Sequence, residues 1–155
     1  EPARAVAETL AGTSLVLFTG AGPHFAAAAF GAAKVRELAP IHAFALPLEE
    51  YHHYRSQKQG DPLFLVAPDG ISRERALDTT LVGASVGGNP IALLGGPDAD
   101  IEARVTAAWQ LPIPHALLAP LVCSVPLHLF AYHFAEARFA RSLGYPPALQ
   151  PTAPA

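Results

Sequence analysis

Ser14-Leu15-Val16-Leu17-Phe18 is a short unbroken apolar run, and Thr19-Gly20-Ala21-Gly22-Pro23 ends it in turn residues. A run of that length bounded by turn signals suits a strand buried on both faces of a parallel sheet. His24 to Leu38 follows as a helix that stays apolar on most sides until Lys34, Arg36 and Glu37. Strand, glycine turn and helix then recur. Pro62–Ala67 reads as a second buried strand, Pro68-Asp69-Gly70 as its turn, and Ser72–Val86 as a helix. Pro90–Leu94 reads as a third strand ended by Gly95-Gly96-Pro97-Asp98, and a fourth lies in Val105–Leu111. A helix from Pro2 to Leu10 precedes the first strand, and one from about His115 to Ser142 closes the series, broken or kinked near Pro120 and Pro126. This alternation predicts a three-layer α/β/α domain on a mostly parallel sheet, with ligands at the carboxyl ends of the strands.

At 155 residues the chain has room for one domain. Residues 1–149 are expected to form it, with a Pro- and Ala-rich extended tail from Tyr145 onward and residues 150–155 outside the domain. A net charge of −3 leaves no basic surface for a nucleic-acid backbone, so no nucleic-acid partner is expected. Charged residues make up 15%, against about 25% in an ordinary soluble domain. Val105 to Ala135 carries no charge at all, as a membrane span would require. Pro112, Pro114, Pro120 and Pro126, with Gln110, His115, His128 and His133, argue instead for a core strand and a buried helix. The surplus apolar surface, on the closing helix and on Phe25–Ala33, then points to a large interface with another copy or another domain.

A single cysteine and no basic-then-apolar opening predict a cytoplasmic chain. Met is absent, and Glu in second place normally protects an initiator Met. The chain therefore reads either as a piece of a longer polypeptide or as one whose leading residues were removed.

Gly20-Ala21-Gly22 lacks the third glycine of a dinucleotide fingerprint, because Phe25 stands there; a tight turn with close backbone approach is the simpler reading. His42, Glu49, Glu50, His52 and His53 offer metal-ligand types without a diagnostic spacing. His128 and His133, five apart on a helix, diverge and read as core-edge residues. Gly83-Ala84-Ser85-Val86-Gly87 has the outline of a nucleophile elbow but falls at a helix end. Cys123, among Leu121, Val122 and Val125, reads as packing.

Three segments stand in a telling order: Gly31-Ala32-Ala33-Lys34-Val35-Arg36-Glu37, Ile41-His42-Ala43-Phe44-Ala45, and Glu50-Tyr51-His52-His53. Together they resemble the sugar isomerase (SIS) domain family, in particular the second SIS half of the isomerase part of glucosamine-6-phosphate synthase and related phosphosugar isomerases and deaminases. That pattern is Gly-Ala-Leu-Lys-Leu-Lys-Glu, Ile-His-Ala-Glu-Ala, Gly-Glu-Leu-Lys-His-Gly-Pro, with equal spacing from its glutamate to its histidine. Val125-Pro126-Leu127-His128-Leu129-Phe130-Ala131-Tyr132 is similar to the family's closing helix, so the likeness spans Ser14 to Leu149.

The resemblance implies a flavodoxin-like SIS fold, a sugar phosphate as ligand, and no cofactor or metal. It implies that Glu37 moves a proton between C1 and C2 through an enediol. His53, supplied by a neighbouring subunit, would help open the sugar ring. Phe44 replaces the family's second-motif glutamate and Tyr54-Arg55 its Gly-Pro. No lysine follows Lys58, which excludes imine formation from the tail. The family's Ser-Gln-Ser-Gly phosphate loop is absent as well, so phosphate binding must come from a partner or a missing half, or be absent. A second SIS half or another copy of the chain is the expected partner. A sugar-phosphate-binding regulatory module without catalysis is the alternative.

Overall fold

The computed structural model describes residues 1–54, 57–66 and 70–149. In chain order the elements are α1 (Pro2–Leu10), β1 (Leu15–Gly20), α2 (Pro23–Leu38), β2 (His42–Pro47), α3 (Leu48–Tyr51), β3 (Pro62–Val66), α4 (Arg73–Ser85), β4 (Asn89–Leu94), α5 (Ala99–Glu102), β5 (Ala107–Gln110) and α6 (Ala119–Ala140). Every strand pair is parallel and the order across the sheet is β2-β1-β3-β4-β5. The chain winds outward from β1 to β2, then returns to β3 and continues the other way. This is a doubly wound, flavodoxin-like α/β/α sheet whose direction of winding reverses between β1 and β3.

Strand parity divides the core. Val16 and Phe18 face one helical layer with Phe64, Val66, Ile91, Leu93 and Trp109, while Leu17 faces the other with Leu63 and Tyr51. Aromatic rings join the sheet to α6: Phe18 stacks on Phe64 with centroids 4.9 Å apart, Phe64 meets Phe130 at a tilt at 4.5 Å, and Phe130 stacks on Phe134 at 5.3 Å. On this side α2 packs on β1 and α6 through small residues, Ala27, Ala28, Gly31 and Ala32. The opposite layer is thinner, with Leu48, Ala76 and Ile101 against Leu65, Ala92 and Leu94.

Among the described residues the sheet has five strands where the apolar runs indicated four. β2 escaped because it is an edge strand: only Ala43 is buried, and Phe44 is half exposed, so no continuous apolar run marks it. The closing helix begins at Ala119 and runs unbroken to Ala140. Pro120 sits in its first turn, where a missing N–H costs nothing, and Pro126 is accommodated inside the helix. His115 instead caps a short 3-10 turn, its Nδ1 accepting from Leu117 N at 3.2 Å.

Phe25–Ala33 does not form a free apolar face, because Ala27, Ala28, Gly31 and Ala32 are consumed by the domain's own α2–α6 packing. The exposed apolar face lies further along, on Leu118, Leu121, Val125, Leu129 and Tyr132, with Leu38 beside it. Leu118, which caps α6, and the four α6 residues recur at three- and four-residue spacing and share one side of the helix. By length and composition Ala116–Ala140 could cross a membrane; its other side, Cys123, Leu127, Phe130 and Phe134, is domain core.

The expected extended tail begins later than Tyr145. That residue folds back, its hydroxyl donating to Leu38 O at 3.3 Å and its ring edge-on to Phe139. Residues 150–155, Arg55 and the expected turn at Pro68-Asp69 with Ala67 before it lie outside the described residues.

Candidate functional site

α2 starts at the carboxyl end of β1 and runs back along the sheet to where β2 begins. Gly20 and Gly22 make this reversal possible. A Cβ on Gly20 would stand 2.8 Å from the His24 carbonyl group, and Gly22 takes a φ of +52°. The two glycines are thus explained by backbone approach. Phe25, where a dinucleotide site needs a third glycine, packs partly buried against the main core.

Glu37 lies on the last turn of α2, at the amino edge of the sheet, with its side chain 59% exposed. The Lys34 ammonium, one turn earlier, donates to its carboxylate and lies 5.5 Å from the centroid of the Phe30 ring. This hydrogen bond and the Lys34 charge, with a smaller contribution from His128, hold the Glu37 carboxyl below the usual carboxylate range. His128 meets Phe30 edge-on at 6.0 Å. It also lines a groove of about 450 Å³ with Leu38, Val125, Leu129 and Tyr132. Glu37 therefore stands at the rim of the exposed apolar face of α6: its chain neighbour Leu38 and its charge partner His128 both belong to that groove.

His53 follows α3, beyond the carboxyl end of β2. Its Nε2 lies 4.0 Å from Glu49 Oε1, and both side chains are about two-thirds exposed. Arg75 on α4 holds Glu49 with a two-pronged guanidinium fork, one arm at 2.6 Å, and keeps its carboxyl below the usual range. The neighbouring His52 turns inward to Thr79 Oγ1 at 2.9 Å. Because that hydroxyl donates to Arg75 O at 2.8 Å, it accepts from His52 Nε2–H. Burial, with Arg75 nearby, lowers the His52 pKa. Behind it the buried Tyr51 hydroxyl donates to Gln57, and Gln57 Nε2 donates to Asp61 O at 2.9 Å. The loop carrying His53 is thus fixed from within while His53 itself faces solvent.

Glu37 and His53 do not meet within one chain. They lie at opposite ends of a six-residue strand, separated by about 20 Å along the strand direction at ~3.3 Å per residue. The same geometry dissolves the metal-like cluster: His42 opens β2 while Glu49, Glu50, His52 and His53 follow it, and among the described residues no three His, Cys, Asp or Glu side chains group as ligands would. His128 and His133 diverge as their spacing requires, His133 pairing with Glu136 at 2.9 Å. Cys123 is fully buried, and burial pushes its thiol up to about 12. Ser85, centre of the elbow-like sequence, ends α4 and donates to Val82 O at 2.8 Å.

Toward the far side of the carboxyl edge, Arg73 forks onto Asp98 with both arms at 2.8 Å, and Asp98 caps α5 by accepting from Ile101 N at 3.2 Å. This pair joins the start of α4 to the turn after β4. Lys34 and Arg75 were not singled out by sequence as site residues, and Glu49 only as a metal-ligand type. The three-residue spacing from Lys34 to Glu37 was a usable signal, whereas the pairing of Glu49 with Arg75 spans 26 residues and left none.

No protein-family model matches the chain. Over 132 residues, 84% of its length, it is 31% identical to the isomerizing glutamine–fructose-6-phosphate aminotransferase of Buchnera aphidicola, of which it covers 21%. The chain thus spans about a fifth of the length of the curated relatives it matches. Among solved structures it is similar to the C-terminal domain of glucosamine-fructose-6-phosphate aminotransferase from Francisella tularensis, with a TM-score of 0.76 and 26% identity over 88% of this chain and 39% of that one. It shares its fold with the Vibrio vulnificus NanR protein, solved in complex with ManNAc-6P: the TM-score is 0.71 and the identity 13%, over 87% of this chain and 54% of that one. Five parallel strands in the flavodoxin-like order, three motifs in sequence and likeness over most of its length make this chain a sugar isomerase (SIS) domain, similar to a part of the isomerizing glutamine–fructose-6-phosphate aminotransferases.

Proposed function

We propose that this domain is one half of a soluble, cytoplasmic phosphosugar isomerase or deaminase-like unit, with Glu37 as its proton-transfer base and His53 contributed in trans. Supporting this are the likeness to the isomerizing aminotransferases and, above all, the placement of Glu37 and His53. Each is exposed, they lie at opposite ends of one sheet, and Glu37 borders an apolar face that lacks a cover among the described residues. A site holding both needs a second copy of this chain to bring its His53 to Glu37, and a second SIS half would bring the missing phosphate loop.

In the isomerisation Glu37 takes a proton from C1 of the open-chain ketose phosphate while the C2 carbonyl oxygen gains one, giving the enediol. The proton returns at C2 as the C1 hydroxyl gives up its own and becomes the carbonyl, so the atoms balance without an oxidant. His53 moves the proton that opens the sugar ring. A positioned base contributes about 10²- to 10⁴-fold when its pKa lies near the working pH. Lys34 holds Glu37 in the opposite direction, and covering the α6 face would displace water and raise the carboxyl again.

The hold by Lys34 is also what favours the second reading, a sugar-phosphate-binding regulatory module. Exchange of substrate protons with solvent separates the two. In the complete assembly Glu37→Gln should abolish exchange at C1 and C2 while leaving sugar-phosphate affinity within a few fold. Full exchange in that variant would leave the binding module as the better account.

A further inference from the structure

Arg138, on the last turn of α6, is 93% buried, being 7% exposed, and no acidic side chain pairs with it among the described residues. Its Nη1 donates to Ala11 O and to Thr13 O, both at 2.8 Å, so one edge of the guanidinium clamps the end of α1 to the start of β1. The plane lies over Phe134, 5.4 Å from the ring centroid. These contacts leave the other edge. Nε is buried without a hydrogen-bond partner among the described residues. Nη2 lies beside Gly144, where a Cβ would approach it to 3.5 Å and press on Pro40 O at 3.0 Å. Glycine there keeps the space next to Nη2 unfilled.

The Nε/Nη2 edge of a guanidinium is a planar fork that matches two oxygens of an oxyanion. Arg138 lines a pocket of about 350 Å³ at the amino edge of the sheet, together with Ser14, Pro40, Ile41 and His42. Neither the Ser14 hydroxyl nor the His42 imidazole makes a side-chain hydrogen bond among the described residues. His42 is exposed and rests parallel to Phe44. A cation left without a counter-charge, an imidazole and a hydroxyl therefore share one small pocket, far from the carboxyl edge where His53 lies.

We propose that this pocket binds a phosphate group, with the free edge of Arg138 taking two of its oxygens and His42 and Ser14 donating to the others. A tetrahedral anion uses all three donors, whereas a carboxylate uses the fork alone. The site requires neither catalysis by Glu37 nor a second subunit, so it stands or falls separately from the isomerase proposal.

Inorganic phosphate titrated into the 155-residue chain at constant ionic strength tests it, read by the Arg138 Nε–Hε resonance in ¹H–¹⁵N spectra. A saturable shift should appear at millimolar phosphate, with acetate binding about tenfold more weakly for want of the further charge-assisted hydrogen bonds. His42→Ala changes an exposed residue and should weaken phosphate binding several fold with the fold intact. Arg138→Lys, where it folds, keeps the charge, loses the fork and should lose saturation. Absence of a saturable shift, equal midpoints for phosphate and acetate, or an unchanged midpoint in His42→Ala would each overturn the assignment.

Discussion

Gly31→Ala probes the contact that sets the height of α2 above the sheet, and with it the position of Lys34 and Glu37 one and two turns later. The added Cβ would lie 2.7 Å from Phe18 Cε1, 2.9 Å from Phe18 Cδ1 and 3.2 Å from Leu127 Cδ2. Phe18 cannot yield, since it is fully buried and stacked on Phe64 at 4.9 Å. Overpacking of this kind costs about 2–3 kcal/mol, and replacing a mid-helix glycine returns about 1 kcal/mol of propensity. The net expectation is a loss of about 1–2 kcal/mol, or about 2–8 °C in Tm for a domain of this size. Urea unfolding should show a lower midpoint with an unchanged slope. Gly12→Ala, where a Cβ meets nothing within 4 Å, serves as the control and should be close to neutral. Stability of Gly31→Ala equal to or above that of the unchanged chain would refute the packing account of α2.

Cys123 should resist thiol reagents in the native state and label only at the rate of unfolding, because it is fully buried and its thiol is pushed up to about 12; rapid native labelling at pH 8 would contradict this. His52 has a folded pKa below its ordinary 6.5. As pH falls below 6.5 the unfolded chain takes the proton first, so stability declines from 6.5 down to the folded value and levels off beneath it. His52→Gln should flatten that part of the stability profile, and an identical slope in both proteins would remove His52 as its cause. The α6 face should hold an oligomer together at micromolar concentration, and Leu121→Glu with Val125→Glu should give a slower-sedimenting monomer. A stable, soluble monomer of the unchanged chain would remove the argument for a covered face.

How much of this was legible in sequence depends on where each signal resides. Leu15–Phe18 and Pro62–Val66 are buried on both faces, so their apolar runs announce parallel strands directly. β2 is equally essential to the sheet, yet at the edge it alternates His42, Ala43 and Phe44 and carries no such run. Glu37 and His53 could be singled out only through a resemblance, because neither an exposed helix-end carboxylate nor an exposed loop imidazole differs from an ordinary surface residue. Their separation by the length of β2 was invisible in a spacing of 16 positions. Arg138 was the least legible, since the carbonyls it clamps are 127 and 125 residues away and its burial comes entirely from tertiary packing.

The central claim is that Glu37 and His53 act in one site assembled from two chains, and subunit complementation measures this directly. Glu37→Gln and His53→Asn versions of the assembled isomerase unit, each inactive alone, would be unfolded together, refolded and assayed for phosphosugar isomerisation. In a two-fold dimer half of the refolded molecules are hybrids, and each hybrid regains one intact site, so activity should return to about a quarter of that of the unchanged protein. Mixtures that remain as inactive as the separate variants, although hybrids have formed, would contradict a site shared between chains.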